Sequence, residues 1–71
     1  MNVTSAQMKK ALTGNYNYSQ LGFSMMITRL KGVYLNEPSP ETLAMCVDEI
    51  NTFLKKFSSI MAADYAIVSK L

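Results

Sequence analysis

No histidine and no tryptophan occur in the 71 residues, and Cys46 is the only cysteine. A single thiol excludes an intrachain disulfide, and the missing imidazole removes the commonest general base and metal ligand. Glycine appears three times, at positions 14, 22 and 32, too scattered for a phosphate-cradling loop. Proline appears only at 38 and 40, so long helices can run uninterrupted on either side. No apolar run reaches the ~20 residues of a membrane span, because Arg29, Lys31, Asp48, Lys55, Lys56 and Asp64 break each one. The opening residues MNVTSAQMKK have neither the basic nor the apolar region of a secretory signal. These observations predict a cytoplasmic protein, in which the sequons Asn2-Val3-Thr4 and Asn17-Tyr18-Ser19 go unused.

What is abundant is apolar side chain: 49% of residues are hydrophobic and 17% charged. The chain is long enough for one small domain, residues 1–71, and a domain of this size buries only about 60% of its unfolded surface. Such an apolar load predicts association, with a second copy as a homodimer or with another helical protein. Charge is uneven. Residues 1–35 hold Lys9, Lys10, Arg29 and Lys31 with no acid, whereas the rest holds three lysines against five acids. Attraction between two packed layers accounts for that division, and a small basic patch for nucleic acid is the alternative.

Three helices are predicted, making an all-α helical hairpin or bundle with helices at about 4–13, 18–34 and 41–70. Thr4 with Gln7 forms a capping box, stapled by Val3 and Met8, and Gly14 provides a left-handed stop. Asn17 with Gln20 repeats the pattern for the second helix, with Tyr16 and Leu21 as its staple. In NEPSPET, Ser39 caps the third helix, Pro40 occupies its first position and Glu41 opposes its dipole, which makes the segment a corner. Beyond it Leu43, Val47, Ile50, Leu54, Phe57, Met61, Asp64, Val68 and Leu71 recur at 4-3 spacing, a heptad seam. A straight third helix of 30 residues measures about 45 Å and outruns its neighbour. Unless the first helix lies over residues 58–71, that half of the seam needs another chain. Leu54, Phe57, Met61 and Val68 are therefore the predicted interface, with Asp64 either setting register or lying at the solvent edge.

Chemistry is sparsely represented. No carboxylates share an apolar helical face, and no nucleophile stands beside a base, so catalysis is not expected and neither cofactor nor metal nor small-molecule substrate is implied. Cys46 lies on a second apolar seam beside the first, with Ile50, Phe53, Phe57 and Ile60, and reads as a small hydrophobe. Met8, Met25, Met26, Met45 and Met61 read as core filling or as an adaptable recognition surface. The final Ser69-Lys70-Leu71 has the form of a peroxisomal import tripeptide, although Leu71 also completes a heptad.

Two families share features with the chain. LGFS, ITRLKG and PSPETL, within residues 21–43, resemble the turn, recognition helix and following helix of small helix-turn-helix repressors. The resemblance implies a DNA-binding regulator with Ser24, Met25, Thr28, Arg29 and Lys31 facing the groove, although two spacings depart from the family's. A helix, a Pro-Glu-Thr corner and a long C-terminal helix are also similar to needle and rod subunits of type III secretion systems, which implies self-assembly. The reading drawn from the residues themselves is a non-enzymatic helical interaction module that self-associates through helix 3.

Overall fold

Helix formation begins where the local chemistry directs it. The computed structural model describes residues 1–71 as three α-helices, α1 Ser5–Thr13, α2 Leu21–Asn36 and α3 Pro40–Ser69, with no strand. At Thr4 the capping box is complete: the Thr4 hydroxyl accepts from the Gln7 N–H at 3.2 Å, and the Gln7 side chain accepts from the Thr4 N–H at 3.0 Å. Val3 and Met8 are both buried in the core, as the staple requires. At the corner, Ser39 caps α3 by accepting from the Thr42 N–H at 3.1 Å, with Pro40 first in the helix and Glu41 in its first turn.

Gly14 ends α1 for a different reason from the one predicted. Its backbone is extended (φ −98°, ψ −171°), so no left-handed turn is made. A Cβ there would collide with the Tyr16 ring and sit 2.9 Å from the Lys10 carbonyl, so the position is short of space.

The start of α2 also differs. It begins at Leu21, not Tyr18, and its N-cap, Gln20, makes no side-chain cap. The predicted Asn17 cap does not form, and Leu21 lies open to solvent, so Tyr16 and Leu21 form no staple. The donors are satisfied from across the fold. Asp64 of α3 accepts from the Ser19 N–H at 2.7 Å, the Ser19 hydroxyl at 2.9 Å and the Gln20 N–H at 2.9 Å. A carboxylate at the positive end of α2 is favoured by the helix dipole as well as by these bonds.

A straight α3 does not fit the molecule, whose principal extents are 31 × 20 × 20 Å. The helix bends at Phe57, whose φ −124° and ψ 27° are non-helical. Proline and glycine are absent there, but Ser58 and Ser59 follow immediately, and serine pairs are recurrent kink sites. The bend folds residues 58–69 back over α1. Gln7 donates its side-chain N–H to the Ser69 carbonyl at 2.9 Å, Lys10 donates to the Leu71 carbonyl at 2.6 Å, and the Tyr65 hydroxyl donates to the Asn2 carbonyl at 3.0 Å. Asn51 grips the preceding segment twice, accepting from the Val3 N–H at 2.6 Å and donating to its carbonyl at 3.0 Å. The radius of gyration, 10.8 Å, matches the roughly 11 Å of a compact 71-residue domain. One core joins Met8, Leu12, Phe23, Leu30, Cys46, Ile50, Leu54 and Val68 from all three helices.

The loop between α1 and α2 carries one imperfectly satisfied group. Tyr18 stacks edge-on against Phe23, 5.1 Å between centroids, and its hydroxyl is buried without a partner. Burial, then Tyr16 and then the Asp64 carboxylate, push the Tyr18 phenol up from its ordinary 10.0 to about 12. The stabilising preference for the neutral phenol is complete below pH 10 and is lost as pH rises towards 12. Tyr18→Phe is expected to match or exceed the wild type at pH 7, by up to about 1 kcal/mol, since it removes an orphan hydroxyl. It is also expected to lose less stability than the wild type between pH 10 and 12. Urea midpoints at pH 7 and pH 11 check both, and equal losses at pH 11 would contradict the assignment.

Candidate interaction surface

The predicted interface residues are placed mainly inside the fold. Leu54, Met61, Asp64 and Val68 are buried in the single chain, and only Phe57 is half-exposed. The physical reason is the kink, which lets the short α1 cover the half of α3 that a straight helix would leave bare. Asp64 is fully buried rather than at a solvent edge, and it anchors the α1–α2 loop. The heptad seam thus marks inward-facing positions and says nothing of which helix covers them.

The basic candidates are engaged within the chain. The Arg29 guanidinium lies 3.2 Å from the Glu49 carboxylate, both partly exposed, and Lys31 donates to the Gly14 carbonyl at 2.6 Å. Residues 17–20, which would have to supply the supporting helix of a helix-turn-helix unit, are non-helical. Cys46 is fully buried with its Sγ 3.9 Å from the Leu30 carbonyl. Burial and then the Glu49 charge push its thiol up, away from the reactive thiolate.

Two features remain on the outside. Beside the kink, Met26, Asp48, Glu49, Thr52, Phe53, Lys56 and Phe57 line an open groove of about 360 Å³. Phe53 and Phe57 form its apolar wall, with centroids 5.0 Å apart. Lys56 Nζ lies 5.5 Å from the Phe57 centroid, a cation–π arrangement.

The second feature is the outer face of α2. Phe23, Ile27, Leu30 and Tyr34 point into the core, while Leu21 (76% exposed), Met25 (62%) and Leu35 (54%) point outwards. Positions 21, 25, 28, 32 and 35 fall on one stripe of the helix, so the three large side chains share it with exposed Thr28 and Gly32. None of the five carries charge. A solvated helix face ordinarily carries charged or polar side chains, which makes this apolar stripe the departure that calls for an explanation.

The sequence expectations place no docking surface on this stripe: Leu21 is a staple partner there and Met25 a core or groove-facing residue. The signal was present in the same 4-3 spacing that drew attention to α3. The chain contains no group of three or more Cys, Asp and Glu side chains placed to hold a metal ion, and no helix long and apolar enough to cross a membrane. No protein-family model, curated protein or solved structure matches the chain.

Proposed function

We propose that the protein is a non-enzymatic helical interaction module whose docking surface is the outer face of α2. The observation that carries this reading is the exposure of Leu21, Met25 and Leu35 along one uncharged stripe. Hydrophobic side chains held in water on a rigid helix gain free energy when a partner covers them, at about 25 cal/mol per Å². The rest of the molecule supports a scaffolding role for that face. Asp64 fixes where α2 begins, and the Ser39 cap fixes the turn that follows it. Two of the five carboxylates are engaged within the chain, Asp64 by Ser19 and Gln20 and Glu49 by Arg29.

Self-association remains the favoured use of such a module, with α2 taking the place that the heptad seam of α3 suggested. A photo-crosslinking side chain at position 25 tests the module itself, with position 55, also exposed but on α3, as control. Discrete adducts from position 25 but not from 55 are the expected result in living cells. Absence of adducts from position 25 would defeat the proposal.

A further inference from the structure

We infer that the partner of the α2 stripe is a second copy of this chain, packed antiparallel about a two-fold axis at Thr28. This rests on the reading of α2 as a docking surface and adds the orientation and axis of the pairing. Along the stripe the residues read Leu21, Met25, Thr28, Gly32, Leu35. Reversed, the order is Leu, Gly, Thr, Met, Leu, so an antiparallel copy sets Leu21 against Leu35, Met25 against Gly32 and Thr28 against itself. Each large side chain then meets a leucine or a gap, as an isologous interface requires. A parallel copy would oppose Met25 to Met25 and glycine to glycine, leaving a clash and a void.

Gly32 supplies the independent observation. It lies within α2, at ordinary negative φ, and a Cβ built on it meets nothing within 4 Å. Glycine in a helix interior destabilises relative to alanine, and no contact or turn in this fold requires it. Gly22, by comparison, faces Phe53 at 3.7 Å. An exposed glycine flanked by exposed Met25 and Leu35 is accounted for when another helix approaches closely enough for its Met25 to fill the space.

Charge and area are consistent with a second copy and set the strength. α2 carries two cations, one on each edge of the stripe: Arg29 lies 3.2 Å from Glu49, and Lys31 donates to the Gly14 carbonyl at 2.6 Å. Each is engaged within its own chain at the edge of the stripe, so the facing positions 21, 25, 28, 32 and 35 themselves bring no charge together. Leu21, Met25 and Leu35 are each more than half exposed and offer that surface for burial. Three such side chains per protomer, with Thr28 and Gly32 between them, fall short of the roughly 1,200 Å² of total area typical of stable complexes. The dimer is accordingly weak and reversible.

Sedimentation velocity on the intact chain from 10 μM to 1 mM tests the inference, alongside Gly32→Lys. Because position 32 opens to solvent, this variant is expected to fold with an unchanged or higher thermal midpoint, yet to dimerise at least tenfold more weakly. Oxidised Thr28→Cys is expected to form a disulfide-linked dimer, while Lys55→Cys does not; buried Cys46 stays out of the exchange. A wild type that is monomeric at 1 mM, a Gly32→Lys protein that dimerises like the wild type, or equal cross-linking at 28 and 55 would each overturn it. A monomer whose position-25 adducts contain a different protein would overturn the second copy alone and leave the interaction module standing.

Discussion

Asp64→Ala is expected to remove a large share of the protein's stability. The carboxylate is completely buried and accepts three hydrogen bonds, from the Ser19 N–H, the Ser19 hydroxyl and the Gln20 N–H. Bonds to an ionised group contribute about 1.5–3 kcal/mol each, and their loss leaves donors at the start of α2 without a partner. A loss of about 3–5 kcal/mol follows. The whole stability of a 71-residue domain is only about 4–11 kcal/mol, so the loss is a large fraction of it and the unfolding midpoint falls steeply. Asp64→Asn keeps one acceptor oxygen but turns an amide N–H₂ towards the remaining donors, and it should fall between alanine and wild type. Urea unfolding followed by circular dichroism gives the three midpoints. If Asp64→Ala melted within a few degrees of the wild type, the anchor described here would be inconsequential.

The second large effect separates two neighbouring residues. Met61→Lys is expected to abolish folding, while Ile60→Lys is expected to change stability by no more than about 0.5 kcal/mol. Met61 is 5% exposed and packs in the core, whereas Ile60, one residue earlier, is 57% exposed. Loss of a buried methionine alone removes about 2–5 kcal/mol, and an ammonium in its place adds the penalty of an unpaired buried charge. The contrast tests whether α1 covers the far half of α3 within a single chain. Were that half open, both substitutions would be mild in the monomer and Met61→Lys would act only on assembly. Thermal melts of both variants at low concentration, where a weak dimer is dissociated, distinguish the cases.

How much of this was legible in the sequence depends on the reach of the interaction. The caps at Thr4 and Ser39 involve partners three residues away, and both form with the partners their spacing indicates. Helical periodicity likewise identified the inward positions of α3, from Cys46 through Ile50 and Leu54 to Val68. The start of α2 was misread because Asn17 and Gln20 offer a local cap, while the group that does the work lies 45 positions away from Ser19. The kink at Phe57 is hard to read in the sequence because no proline or glycine marks it and the serine pair that follows is its only local sign. The kink decides the reading of the site. A straight helix leaves Met61 and Val68 bare and in need of a partner, while a bent one hides them and leaves the unpaired surface on α2.

The amide of Asn51 has a bearing on how relatives of this fold are to be sought. Its oxygen and nitrogen hold both the N–H and the carbonyl of Val3, so the position needs a donor and an acceptor on one short side chain. Aspartate lacks the donor, alanine lacks both, and lysine lacks the acceptor. Apolar heptads, by contrast, tolerate exchange among leucine, isoleucine, valine and methionine. Sequence divergence would therefore blur the seam long before it touched the two polar anchors. An amide at 51 followed thirteen residues later by a carboxylate at 64, with a capping box near the start of the chain, is a sharper fingerprint of this architecture than its hydrophobic pattern.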